Sequence, residues 1–210
     1  LVNLFALTHP SQPNYFYLFS GTNQGVTNNT CPPGPFSTGN LGKQLIDASL
    51  TFTGYVESLP SSLTPCIQLP YAGHHVPWLY FSNIPSSNTK NITQFPADFT
   101  QLPTVSFVIP NNNNNGHDGT VQQSADWLAD HLDAYKDWAM ENNSLLIVTY
   151  DEDDSDENNR IYTVFVGPMI DPGIYNQQYD LRNVLSTVED LYGIPLLTSS
   201  PPITNIFENP

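Results

Sequence analysis

Two near-continuous apolar runs constrain this chain more than any other feature. Thr104 to Ile109 reads TVSFVI, and Ser144 to Tyr150 reads SLLIVTY. Strands this uniformly apolar are covered on both faces, as in α/β proteins. Between them, Val121 to Asn142 places Trp127, Leu128, His131, Leu132, Tyr135 and Trp138 at three-to-four spacing, the period of an amphipathic helix. Other segments repeat the alternation. Leu1 to Leu7 is an apolar run, broken at Thr8 to Asn14 and followed by a helix-compatible aromatic segment, Tyr15 to Ser20. Leu41 to Ala48 and Tyr179 to Tyr192 have helical spacing, while Leu50 to Glu57 and Ile161 to Val166 read as strands. Strands alternating with helices predict an α/β fold, a sheet with helices on both faces.

Three chemically able groups then fall just after predicted strands: Ser11, His117-Asp118 and Asp151-Glu152. Open α/β sheets place their sites at the carboxyl ends of strands. Ser11 sits in a Pro-bounded turn between a strand and a helix. A helix N-terminus offers N–H groups and a positive dipole end to an attacked phosphoryl group, and a hydroxyl there needs a metal or a base to become a nucleophile. The plainer alternative makes Ser11 the N-cap of an ordinary helix. The acidic run from Asp151 to Asp154 suits hard-metal ligands at a strand end, or else is a solvated loop.

Composition narrows the partners. The 210 residues hold 5 Lys and Arg against 20 Asp and Glu, a net charge of −15. That field repels nucleic acid and anionic membrane surfaces. It repels a phosphate substrate as well, unless bound cations cancel it locally. The length suits a single domain over 1–210, with a long irregular excursion at about residues 58–103. Cys31 and Cys66 are compatible with one disulfide in an oxidising compartment, or with two free thiols. Asn28, Asn91 and Asn142 each begin a glycosylation sequon. No run is long enough to span a membrane. The Pro-rich tail after Pro195 is expected on the surface.

Seven motifs carry a resemblance: LTHPSQPNYFYLFSG (7–21), HHVPW (74–78), FPADFTQLPTVSFVIPN (95–111), GHDG (116–119), LLIVTYDEDD (145–154), NRIYTVFVGP (159–168) and NVLSTVEDLYGIP (183–195). In this order they resemble the secreted phosphoesterase family of acid phosphatases and phospholipase C-like enzymes, a branch of the alkaline phosphatase superfamily. The resemblance implies an alkaline-phosphatase-like, mostly parallel sheet sandwiched by helices, here lacking the first N-terminal strand. It implies metal-assisted phosphoryl transfer to a small phosphate ester, with Ser11 as nucleophile and His75 at the phosphate or leaving group. Asn14 and His117 would contact phosphate. Asp151, Glu152, Asp118 and Asn111 would hold a divalent metal ion of unspecified identity (Mg, Ca, Mn or Zn). Cys31 and Cys66 match a disulfide position, and the location implied is extracellular or cell-surface. Leu181 stands where relatives often carry a histidine. A second reading is a catalytically inactive relative serving as an extracellular structural or filament-forming protein that self-associates, which suits scarce Lys and abundant Asn, Thr and Tyr.

Overall fold

A computed structural model describes residues 1–31, 33–155 and 158–208, so residues 156 and 157 of the acidic loop lie outside the described residues. In chain order the elements are β1 (Leu4–Phe5), α1 (Ser11–Ser20), α2 (Leu41–Asp47), β2 (Phe52–Val56), β3 (Thr89–Asn91), β4 (Val105–Ile109), α3 (Val121–Glu141), β5 (Leu146–Thr149), β6 (Arg160–Ile161), β7 (Thr163–Val166), β8 (Tyr179–Asp180) and α4 (Leu181–Leu191).

The expected single, mostly parallel sheet is divided into three: β6-β1-β8, β3-β2-β4 and β5-β7. β2 runs parallel to both β3 and β4, with Gly54 opposite Thr89 and Phe107. β1 pairs parallel with β8 and antiparallel with β6, and β5 pairs antiparallel with β7. Residues 160–166 link two of these sheets. Their first part pairs with β1, their second with β5, and the Tyr150 N–H donates to Tyr162 O between them (3.4 Å). On the other side no strand joins β4 to β5 among the described residues.

The core follows from the aromatic content. Phe19 of α1 packs against Phe52, Trp78, Phe81 and Phe107, with ring centroids 5.6–6.3 Å apart, within the range of favourable aromatic pairs. Trp78 packs directly onto β2, and only a glycine fits at the contact: a Cβ at Gly54 would stand 1.9 Å from Trp78 Cζ2. The Trp78 Nε1–H donates to Thr89 Oγ1 (3.0 Å), which ties β3 to the same cluster. A second cluster joins Leu4, Ile161, Leu181 and Val184.

Three local expectations are corrected. The helix expected over 179–192 begins at Leu181, because Tyr179 and Asp180 pair with β1. Asp180 then caps α4, accepting from Arg182 N while its own N–H donates to Asn183 Oδ1. The excursion contains β3, a strand too short and too polar (Thr-Lys-Asn) to show in the sequence pattern. The tail is not confined to the surface, for Ile203 and Ile206 are fully buried against β1 and α4. Cys31 and Cys66 form a disulfide across 35 residues, tying the excursion to the loop after α1.

Candidate active site

Ser11 is the first residue of α1 and is buried. The preceding turn is held by Asn14, whose Oδ1 accepts from Leu7 N (3.1 Å) and Thr8 N (3.2 Å) while Nδ2 donates to Thr8 O (2.6 Å). Asn159 reaches across from the β6 side to donate to the same Thr8 O (2.7 Å). These bonds fix the direction in which Ser11 points. Its Oγ donates to Glu152 Oε1 at 2.5 Å. The other Glu152 oxygen lies 2.5 Å from His9 Nδ1, and His9 Nε2 lies 3.0 Å from Asp153 Oδ1. His9, assigned from sequence to structure or solvent, therefore bridges two carboxylates of the acidic cluster.

The helix end offers fewer donors than the sequence reading expected. The N-cap is Pro10, not Ser11, and no side chain caps the helix. Pro13 has no N–H, and the Gln12 N–H is taken by Asn29 Oδ1 (3.0 Å).

Asp151 follows β5. As a residue it is half-buried along a cavity wall, but its carboxylate turns inward, with Oδ2 shut off from solvent and without a partner. Burial, and then the neighbouring Glu152 charge, push its pKa up to about 7. Burial, and then the nearby Asp151 and Glu152 charges, hold the Tyr15 hydroxyl well above the usual phenol range. The Tyr15 ring stacks on His75, centroids 4.8 Å apart and planes 21° apart. His75 Nδ1 accepts from Asn115 Nδ2 (3.2 Å), which puts the ring proton on Nε2, a buried atom with no partner. Burial, the adjacent His74 and nearby His117 hold His75 well below the ordinary histidine value, so it is neutral. Burial lowers His74 to about 4, and neither of its ring nitrogens has a partner.

The Asn-rich loop sets the opposite wall. Asn111 donates its N–H to Glu57 Oε2 (2.8 Å) and its Nδ2 to Ser58 Oγ (3.0 Å), and its Oδ1 accepts from Asn113 N (2.9 Å). Glu57 also accepts from Asn114 Nδ2 (2.9 Å). Asn111 is thus engaged in building the loop. Asp118 is exposed and lies 2.7 Å from His117 Nδ1. His117 lines the cavity mouth, close enough for its charge to act on His74, His75 and Asp151.

The structure therefore brings Ser11, Asp151, Glu152 and His75 to one place, with His117 at the mouth, and engages Asn14 and Asn111 in the two flanking turns. Sequence reasoning missed His9, Tyr15 and Asn115. Tyr15 and Asn115 sat beside residues already singled out, but no one-dimensional spacing signals a ring stack or an amide that orients a histidine. Asn28 and Asn142 are exposed, and Asn91 caps a short turn.

For a divalent cation, Asp151 and Glu152 are the fitting pair: adjacent carboxylates, one with an unpartnered oxygen. No group of three or more His, Cys, Asp and Glu arranged to hold a metal occurs among the described residues. No helix among them is long and apolar enough to cross a membrane.

Residues 2–195 match the Phosphoesterase family. A phosphatidylinositol-3-phosphatase of Mycobacterium tuberculosis is 48% identical over 213 residues, covering 99% of this chain and 71% of that protein. A probable acid phosphatase of Kluyveromyces lactis is 27% identical over 99% of this chain, and an acid phosphatase of Aspergillus fumigatus 26% identical over 94%. The chain spans about half the length of these two fungal relatives, 54% and 49%. With the match running through every element that carries the site, from β1 to α4, the chain belongs to the phosphoesterase family, hydrolases of phosphoric ester bonds.

Proposed function

We propose that this chain hydrolyses phosphomonoesters through Ser11. The observation that carries the reading is the Ser11 hydroxyl, fixed by the Asn14 turn and donating to Glu152 Oε1 at 2.5 Å. In this mechanism Ser11 Oγ attacks phosphorus, the Ser11 proton passes to Glu152, and the bond from phosphorus to the leaving oxygen breaks. The leaving oxygen takes a proton at the cavity mouth, where His117 lies. Water then cleaves the phosphoserine. His9 holds Glu152 in the accepting orientation. Neutral His75 offers its Nε2–H to a phosphate oxygen, a role that needs the tautomer set by Asn115. A divalent cation held by Asp151 and Glu152 would supply neutralising charge and a lowered serine pKa when bound.

All three named relatives are phosphatases, which favours a monoester over a diester. The mycobacterial relative's name adds a phosphoinositide monoester to the candidate substrates. An alkaline-phosphatase-like topology and an extracellular location belong to the same reading, and the Cys31–Cys66 disulfide supports the latter.

The test is hydrolysis of p-nitrophenyl phosphate with and without added Mg²⁺, Ca²⁺, Mn²⁺ or Zn²⁺. Ser11→Ala is expected to lower kcat by about 10³-fold or more. Turnover that survives in a folded Ser11→Ala protein refutes the nucleophile. No turnover from the folded wild type under any cation favours the inactive structural relative.

A further inference from the structure

Asn115 and Gly116 form the one Asn-Gly pair in the sequence. The fold demands each residue for a different reason. Gly116 takes φ +91°, a left-handed conformation that a side chain would strain. Asn115 is held by its amide. Its Oδ1 accepts from the His117 N–H (2.9 Å), which fixes which way the amide points. Its Nδ2 is then the group that faces His75 Nδ1 (3.2 Å), with Asn112 Oδ1 farther off (3.4 Å). The turn prescribes the glycine, and the histidine prescribes the asparagine.

Together they make a chemically weak point. The backbone nitrogen that follows an asparagine can attack that asparagine's side-chain Cγ, and a following glycine puts no Cβ in the way. In the run from Asn111 to Asn115, nearly every such nitrogen is tied down. The Asn112 N–H donates to Pro70 O, the Asn113 N–H to Asn111 Oδ1, and the Asn114 and Asn115 N–H groups to Asn111 O. The Gly116 N–H makes no hydrogen bond to the described residues, and Gly116 is exposed, so solvent hydroxide reaches its proton. The His117 N–H meanwhile points at Asn115 Oδ1, the atom on which charge develops as Cγ becomes tetrahedral. Asn143 gives the contrast. It too precedes a small residue, but the Ser144 N–H is engaged with Ala139 O (3.3 Å).

We propose that Asn115 is a site of spontaneous deamidation, and that its product reverses the hydrogen bond that orients His75. Gly116 N gives its proton to hydroxide and bonds to Asn115 Cγ. The bond from Cγ to Nδ2 breaks, and Nδ2 leaves as ammonia with a proton taken from water, which restores the hydroxide. Water then opens the cyclic imide, at Cγ to give aspartate or at the Asn115 backbone carbonyl carbon to give isoaspartate. Either product is a carboxylate, which accepts where the amide donated. Opposite that carboxylate, His75 Nδ1 carries a proton. A neutral ring then has none on Nε2, the buried atom that the amide had kept as a donor. The site therefore ages: each molecule loses this amide once and irreversibly.

Peptide mapping by mass spectrometry tests the modification, on protein kept at pH 8 for days, with electron-transfer fragmentation to separate aspartate from isoaspartate. Asn115 is expected to convert at least ~10-fold faster than Asn143 or any of Asn111 to Asn114, and Gly116→Ala to slow it by about tenfold. Ring-nitrogen NMR shifts test the consequence. The His75 proton should sit on Nε2 in fresh protein, and Nδ1 should be protonated in aged protein and in Asn115→Asp. Conversion of Asn115 no faster than that of Asn143 overturns the site. Conversion that leaves His75 Nδ1 without a proton overturns the reversal. If either variant does not fold, fresh and aged wild type decide both questions. Neither readout needs phosphatase activity, so a failure of the mechanism proposed for Ser11 leaves both standing.

Discussion

Asp151→Asn should make this protein more stable at pH 8 and no more stable at pH 5. The Asp151 carboxylate is inward-turned, with Oδ2 unpartnered and Glu152 beside it, and its pKa rises from 3.8 to about 7. A carboxyl whose folded pKa lies above its unfolded value favours the fold only while protonated. Its contribution is complete below pH 4 and is lost as pH rises through 7. A shift of about three units corresponds to roughly 4 kcal/mol at pH 8. Asparagine has the same shape and no charge. It leaves an amide group short of a partner, which takes back about 1–3 kcal/mol, so the net gain at pH 8 is about 2 kcal/mol. For a chain of this size that raises Tm by about 4–8 °C. The assay is thermal unfolding of both proteins in EDTA at pH 5 and pH 8. An equal Tm difference at the two pH values, or a variant less stable at pH 8, refutes the claim that the folded site confines an unfavourable charge.

Three further outcomes follow from the same geometry. Asn115→Ala removes the donor that fixes the His75 tautomer; kcat for p-nitrophenyl phosphate should fall about 10–100-fold, with little change in Tm, and a loss confined to KM would contradict the role given to His75. Replacing Cys31 and Cys66 together by serine opens a cross-link over 35 residues, and chemical denaturation should show a loss of about 4 kcal/mol. Gly54→Ala drives a Cβ into the Trp78 ring; urea unfolding should show a loss of about 1–3 kcal/mol, and an unchanged midpoint would mean that Trp78 has other places to go.

The elements that were legible in the sequence are those whose own residues encode their surroundings. α3 declared itself by period, and the runs at β4 and β5 by uniform apolarity, because covered strands and amphipathic helices leave one-dimensional marks. β3 and β8 left none: one is Thr-Lys-Asn and the other Tyr-Asp, and both are strands only because a neighbour pairs with them. The division of the sheet was illegible from periodicity for the same reason, since partners are not written into a strand's own pattern. In the site, the residue types at strand ends pointed to Ser11, Asp151 and Glu152. The supporting contacts, His9 on Glu152 and Tyr15 on His75, span 143 and 60 positions and exist only in three dimensions.

Charge decides what such a site can bind. A phosphate monoester brings up to two negative charges to a place that already holds Asp151, Glu152 and Asp153. The helix end contributes little, since Pro13 has no N–H and Asn29 takes that of Gln12. The Lys and Arg side chains do not gather there. Lys43 pairs with Asp47, Lys136 with Asp133, Arg182 with Asp180, and Lys90 lies over the Tyr55 ring. Arg160 alone of the five lines the cavity, and it too has a partner. His75 and His74 are kept neutral by burial. Positive charge from outside the chain is then the economical way to hold a phosphate beside these carboxylates. The unpartnered Asp151 oxygen is where it would act: a hard cation there would offset the burial, and the Glu152 charge, that raise Asp151, so wild-type Tm at pH 8 should rise with added cation and that of Asp151→Asn should rise less. Asp151 is thus the residue through which the proposed cation would couple its binding to the stability of the fold.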